Sequence, residues 1–342
     1  MKLGIANHET WIFIEDICAY LSTKYETKIF ERATWSLPIM QPKMSHYMLR
    51  KSLNEFIHSC DVVLFEWASE LLVEASSMKT PQAASLVVRL HRYEMFQWTH
   101  RINWENVSYV ILDTHAMRKK LLERTDLPPE RALVLPNAVP LYKTNSSHRP
   151  FKGNIGVLST LIPRKRIYEF ILGFYALQKQ EPDLMLHIGG NTQPSFQAYY
   201  EALHDLIEKL GIQDKVKFYG RVDERWDWYQ KMDVFVSYSY SEGMPVAPIE
   251  AIASGCYCLS HWWAGAEEIF PEDQLFITED EFVEKMLSYI RTTDEEREKI
   301  SQPLRDFVLN NCNLSLVSEA IEDVLIKAYK ERTDEKVETQ HK

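Results

Sequence analysis

Val234-Phe235-Val236-Ser237-Tyr238-Ser239-Tyr240-Ser241-Glu242-Gly243-Met244-Pro245-Val246-Ala247-Pro248-Ile249-Glu250-Ala251-Ile252-Ala253-Ser254-Gly255 is the stretch on which the fold turns. Its first five residues are apolar and aromatic, as a buried strand requires. Gly243 and Pro245 then break the run, and an Ala-rich helix follows that Gly255 can cap in a left-handed conformation. A strand, a tight turn and a helix N-terminus make an anion site, because free backbone N–H groups and the helix dipole both face the loop. Glu242 and Glu250 lie eight positions apart across that turn. A carboxylate one turn into the helix can accept hydrogen bonds from two neighbouring sugar hydroxyls, so the parts describe a pocket for a nucleoside diphosphate and its ribose.

Strand-like and helix-like segments alternate on either side of this stretch. In the first half, strands are predicted over 3–6, 28–31, 61–65, 85–90, 107–112 and 132–135, and helices over 10–24, 45–58 and 114–124, the first capped by Thr10. In the second half, strands are predicted over 154–158, 185–188, 216–219, 234–238 and 257–260, and helices over 167–180 and 197–210. Residues after about 280 read as helical, with an acidic, frayed tail from Glu331. Strands apolar on both faces that alternate with helices imply a parallel, doubly wound sheet. The expected fold is α/β, with two doubly wound parallel-sheet (Rossmann-like) domains facing a cleft. The domains are 1–148 and 149–310, joined by the Pro/Asn/Ser-rich segment 136–150, and 311–342 form a C-terminal helix that crosses back to the first domain.

Composition narrows the function. The chain has 342 residues, 45% of them hydrophobic and 26% charged, which suits two domains with real cores. Its net charge is −10. Of 39 Lys+Arg and 49 Asp+Glu, 17 and 16 fall in residues 1–148, so the excess acid lies in the second half. That balance excludes a general nucleic-acid binder. Cys18, Cys60, Cys256, Cys258 and Cys312 are scattered and odd in number, and Cys256-Tyr257-Cys258 is too tight for a zinc pair, so all five read as reduced thiols of a cytoplasmic protein. No apolar run is long enough for a signal peptide or a membrane span. Lys43, His46, Arg50 and Lys51 with Met44, Met48 and Leu53 could lay an amphipathic helix on the inner face of a membrane as a peripheral contact.

The pattern Glu242, seven residues, Glu250, then Ala251-x-Ala253-x-Gly255 resembles the signature of the retaining family 4 glycosyltransferases of GT-B fold. The resemblance implies that Glu250 holds the donor ribose and that Glu242 lies by the donor sugar and diphosphate. It places the backbone of Gly243, Met244, Pro245 and Val246 at the donor. Ser159-Thr160-Leu161-Ile162-Pro163-Arg164-Lys165-Arg166 is similar to the family's diphosphate clamp, with Lys165 as its Lys. Thr160 stands where the family has Arg, and Arg166 where it has Gly, so either Arg164 or Arg166 supplies the guanidinium. Phe218-Tyr219-Gly220-Arg221-Val222 resembles the strand and turn that hold the nucleobase, and Gly189-Gly190 a neighbouring turn. Ala264 to Ile269 resembles the family's Glu-Ile loop; Trp262 and Trp263 before it either shape the sugar pocket or wedge the packing.

In the first half, His91 ends an apolar strand where the family often has a His near the donor sugar. Glu66 and Trp67 end the preceding strand and are acceptor candidates. Asn7-His8-Glu9-Thr10 replaces the family's glycine pair, so His8 or Glu9 is expected to make a side-chain contact there. The missing Gly-x-Gly-x-x-Gly also excludes a dinucleotide oxidoreductase. Leu135-Pro136-Asn137-Ala138-Val139 reads as a structural turn.

The implied activity is metal-independent, retaining transfer of a sugar from a UDP- or GDP-sugar to a hydroxyl of a glycan or lipid-linked acceptor. Catalytic roles fall to Glu242, His91, Lys165 and Arg164, with no permanently bound cofactor. Two other readings stand beside it: a GT-B nucleotide-sugar epimerase and a non-catalytic nucleotide-sugar-binding partner subunit.

Overall fold

Val62–Glu66 and Ser85–Leu90 are buried at every position, so both faces of their sheet need covering. The computed structural model describes residues 1–31, 41–78, 83–145 and 149–340, with no side chains described at 41–45 and 335–340. These residues divide into two compact units, Met1–Ala138 with Leu314–Lys342, and Val139–Asn313. The division falls after Ala138, and the C-terminal segment belongs with the first unit.

The first unit carries strands β1 (Lys2–Ala6), β2 (Glu26–Ile29), β3 (Val62–Glu66), β4 (Ser85–Leu90), β5 (Tyr109–Leu112) and β6 (Ala132–Val134). They form one sheet of order β2-β1-β3-β4-β5-β6, parallel throughout. Helices α1 (Glu15–Lys24), α2 (Gln41–His58), α3 (Glu70–Ser76), α4 (Glu94–Gln97) and α5 (His115–Leu122) lie between the strands. One core packs Leu49, Leu53 and Ile57 of α2 with Leu71 and Leu72 of α3 and with Val63, Phe65, Val88 and Val110.

The second unit carries β7 (Asn154–Leu158), β8 (Met185–Gly189), β9 (Val216–Gly220), β10 (Val234–Ser237), β11 (Tyr257–His261) and β12 (Leu275–Phe276). Their order is β12-β11-β10-β7-β8-β9, again parallel. Its helices are α6 (Ile167–Gln178), α7 (Gln197–Leu210), α8 (Arg225–Tyr229), α9 (Val246–Ala253), α10 (Glu279–Ile290) and α11 (Asp294–Asn311). The last helix, α12 (Leu314–Gln340), returns to the first unit. There Val317, Ile321, Leu325 and Ala328 pack on Leu3, Ile5, Leu64 and Val87.

Four expectations change. The helix expected from Thr10 begins at Glu15, because Thr10 Oγ1 accepts from Ile12 N and the chain first makes a turn closed by Ile14 N to Trp11 O. The second strand lies at Glu26–Ile29, two residues early. The tail expected to fray from Glu331 is helical to Gln340; Glu331 accepts from Tyr109 Oη at 2.6 Å and Arg332 donates to Asp61 O at 2.7 Å. The expected membrane-facing helix turns Leu53 into the core and spends His46 and Arg50 on Glu74. The side chains of Lys43 and Met44 lie outside the described residues.

Gly190 follows β8 at φ +117°. A Cβ there would lie 1.8 Å from the carbonyl oxygen of Ser159, so two strand-end loops meet where only glycine fits. Gly190→Ala is expected to destabilise the second unit by at least ~2 kcal/mol in denaturant unfolding. An unchanged midpoint would refute this account of the loop contact.

Candidate functional site

The second sheet reverses its winding at β7, which pairs with β8 on one side and β10 on the other. Ligands of doubly wound sheets sit at such a switch point, beyond the carboxyl ends of the strands. The loops after β7 and β10 supply the charged groups there. Glu242 is buried. Lys165 Nζ donates to its Oε1 at 2.5 Å, and Arg164 lies 2.8 Å from its Oε2. Arg164 also donates to Ser241 O at 2.6 Å. Burial alone would raise the Glu242 carboxyl, but Lys165 and Arg164 outweigh it and hold the group below its ordinary range.

This geometry separates the two arginines left open by the sequence. Arg164 joins Lys165 on Glu242, whereas Arg166 lies over the Tyr238 ring, 5.2 Å from its centroid, and reaches Glu169. Arg166 adopts φ +53°, the backbone conformation that the family's glycine would take without strain. Thr160 is exposed and carries no charge to replace a guanidinium.

Gly255 follows α9 at φ +86° and closes the helix through its N–H to Ile252 O at 2.9 Å, as the sequence predicts. Glu250, inside that helix, is buried. Its Oε1 accepts from Arg225 Nε at 2.9 Å and its Oε2 from Tyr229 Oη at 3.0 Å. Burial raises its pKa, against the pull of Arg225 and Tyr229. Gly243 and Met244 are buried, Pro245 and Val246 half-buried, and the helix starts at Val246. Val222 is half-buried just beyond β9. Trp263 is in the core with its Nε1 on Ser260 Oγ at 3.3 Å, while Trp262 is partly exposed and donates to Glu267 at 3.2 Å.

The first sheet reverses at β1, between β2 and β3, and its charged groups also gather at strand ends. His91 follows β4. Its Nε2 is 2.8 Å from Glu66 Oε1, and its Nδ1 is 3.6 Å from Asp113 Oδ2, just after β5. Burial opposes a charge on the ring, but Asp113 and Glu66 prevail and raise its pKa to about 10, so His91 is an imidazolium at neutral pH. Glu66 has no exposed side chain; both of its oxygens are 3.1 Å from Arg89, which also donates to Asn137 Oδ1 at 3.0 Å. Burial would raise Glu66, yet Arg89 and His91 hold it low. Glu66 therefore supports His91 and presents no surface to an acceptor.

Trp67 sits at φ +83°, a left-handed conformation that costs a tryptophan about 1–3 kcal/mol. Its ring lies against His91 at 4.2 Å and Phe13 at 5.5 Å, and only a small part of it is exposed. Glu9 is half-buried and accepts from Tyr93 Oη; His8 is exposed. Asp113, Glu94, Arg225 and Tyr229 join these clusters without having been singled out in the sequence. The signal for Asp113 was an acid directly after a buried strand. For Arg225 and Tyr229 it was their spacing of four on a helix. Among the described residues, no group of three or more His, Cys, Asp or Glu could hold a metal ion.

Residues 146–306 match the family described as glycosyl transferases group 1. The gpi3 subunit of phosphatidylinositol N-acetylglucosaminyltransferase from Schizosaccharomyces pombe is 26% identical over 59% of this chain and 46% of its own length. The lipopolysaccharide core biosynthesis mannosyltransferase LpsB of Rhizobium meliloti is 28% identical over 31% of this chain and 30% of its own. The chain thus spans less than half the length of either relative. Among solved structures, HepE of Anabaena in complex with UDP and glucose superposes with a TM-score of 0.78 at 16% identity, covering 96% of this chain and 100% of that one. Residues 146–306 are thus similar to the group 1 glycosyl transferases, and the chain has the two-unit α/β fold of the GT-B glycosyltransferases.

Proposed function

We propose that the chain is a retaining glycosyltransferase that moves a sugar from a nucleoside-diphosphate donor to an acceptor hydroxyl without a metal ion. The observation that carries this reading is the pairing of Lys165 and Arg164 on buried Glu242 at the switch point of the second sheet. Two cations held together by an internal carboxylate are placed for a diphosphate. In transfer, the bond from the anomeric carbon to the diphosphate oxygen breaks and charge builds on the leaving phosphate. Lys165, Arg164 and the α9 N-terminus neutralise that charge. The acceptor oxygen bonds to the same carbon, and its proton passes to the departing phosphate oxygen.

Glu250 serves the ribose, Glu242 the sugar, Val222 and the turn after β9 the nucleobase, and Gly243 to Val246 the diphosphate through their backbone. Thr160 lines the same loop cluster. On the first unit, the His91 imidazolium, Trp67, Glu9 and His8 serve the reacting sugars. The complex of HepE with UDP makes UDP the first diphosphate to try, and the gpi3 relative makes a lipid acceptor at a membrane face a candidate beside a glycan. The Thr160 departure motivates the competing reading as a partner subunit without turnover.

UDP, GDP and their sugar conjugates should be compared for thermal stabilisation and then for diphosphate release with candidate acceptors. A ligand at 100 times its Kd adds about 2.7 kcal/mol, and Glu250→Gln should abolish most of that gain. Binding without release on any acceptor would favour the partner subunit, and no binding at all would defeat both readings. Lys165→Ala removes one charge-assisted hydrogen bond, of about 1.5–3 kcal/mol, so calorimetry should show roughly 10- to 100-fold weaker diphosphate binding.

The His91 pKa lies above its unfolded value. Its stabilisation is therefore fully present below about pH 6.5 and is lost as pH rises through about 10. Denaturant midpoints of wild type and His91→Gln should converge across that window; a constant difference would contradict a charged His91.

A further inference from the structure

We propose that Glu94 is a positioning residue of the first unit: its Oε1 accepts the main-chain N–H of Ala68 at 3.1 Å and of His91 at 3.3 Å, tying the turn that bears Trp67 to the strand end that bears His91. The proposal rests on the transferase reading for what is being positioned, but not for the clasp itself.

Glu94 is wholly buried at the start of α4. The ladder between β3 and β4 ends at Glu66 opposite Arg89, and Trp67 N reaches Arg89 O at 3.1 Å. Ala68 and His91 lie beyond that last ladder pair, where the strands no longer supply each other's acceptors. A single carboxylate oxygen takes both N–H groups. Between them stands Trp67, with its left-handed backbone and its ring on the His91 imidazole. Without an acceptor at this point, Trp67 can relax towards an ordinary conformation and His91 loses the surface that orients its ring.

The second oxygen argues that this is more than packing. Glu94 Oε2 is buried with no hydrogen-bond partner among the described residues, and burial lifts the carboxyl pKa to about 7 despite His91 nearby. An apolar side chain of the same length would avoid that desolvation. A carboxyl retained here supplies what methionine cannot, an acceptor for two N–H groups just beyond the ends of two strands.

Glu94→Met and Glu94→Gln separate the acceptor from the space it fills. Three quantities would be measured on the full chain: sugar transfer, UDP affinity by calorimetry, and amide hydrogen exchange at Ala68 and His91 with selective 15N labelling. Glu94→Met should exchange faster at both amides and turn over at least ~10-fold more slowly, as expected from losing about 1.5 kcal/mol of hydrogen bonding, with UDP affinity unchanged. Glu94→Gln keeps an acceptor oxygen and should recover both properties to within about threefold. The proposal fails if Glu94→Met matches wild type in exchange and turnover, or if Glu94→Gln is as impaired as Glu94→Met. If wild type transfers no sugar, the transferase reading fails, and the exchange comparison alone decides the clasp.

Discussion

Taking a carboxylate out of water costs free energy that nearby donors must offset, and this constraint organises both units. Glu66, Glu94, Glu242 and Glu250 are all buried, and each meets a different set of donors. Glu66 has Arg89 and His91, Glu94 has two backbone N–H groups, Glu242 has Lys165 and Arg164, and Glu250 has Arg225 and Tyr229. For the ion-paired acids Glu66, Glu242 and Glu250, removing the cationic partner leaves the carboxylate stranded, at a cost of about 3–5 kcal/mol. The acids and their partners therefore hold their loops in place together, and substrate chemistry has to work within that arrangement.

The winding of the sheets explains why these clusters stand at strand ends. Parallel strands covered on both faces leave no side of the sheet for polar groups. Polar chemistry is displaced to the loops after the strands, where β7 with β10 and β3 with β4 bring distant residues together. Lys165 and Glu242 are 77 positions apart, and Arg89 and Asn137 are 48 apart. The C-terminal helix belongs to the same scheme. Tyr20, Lys24 and Tyr25 all donate to Glu322 of α12 at 2.6–2.7 Å, which seats its apolar face over the strands of the first sheet.

Much of the fold was legible because it depends on local pattern. The apolar runs of β3, β4, β7 and β10 and the Gly255 cap read directly from the sequence. The α1 start did not, because Thr10 caps a turn there instead of a helix. The seven-residue α3 escaped notice because it is too short and too uniformly buried to show a polar face. The same distinction holds at the sites. Glu242, Glu250 and Lys165 stand in motifs whose spacing one stretch of chain displays. Glu94 reaches His91 three residues away but acquires its meaning from Ala68 N, and Asp113 acts on His91; no spacing along the chain connects 94 to 68 or 113 to 91.

The described residues with positive φ that are not glycine are Trp67 and Arg166, and each lies in one of these loop clusters. Each costs of the order of 1–3 kcal/mol, and such strain persists only where its surroundings over-determine it. For Arg166 the surroundings are the Tyr238 ring and Glu169, which keep the backbone turn while the arginine itself points away from Glu242. Lys165, one residue earlier, is thereby aimed at the carboxylate. For Trp67 they are Phe13, His91 and the N–H bond of the next residue to Glu94. A glycine would adopt either turn without strain, but it would bring neither the guanidinium that lies over Tyr238 nor the ring that packs on His91. In both loops the bulky residue trades backbone ease for a side-chain contact that fixes its neighbour, which is how strand-end loops without glycine pairs can still be rigid.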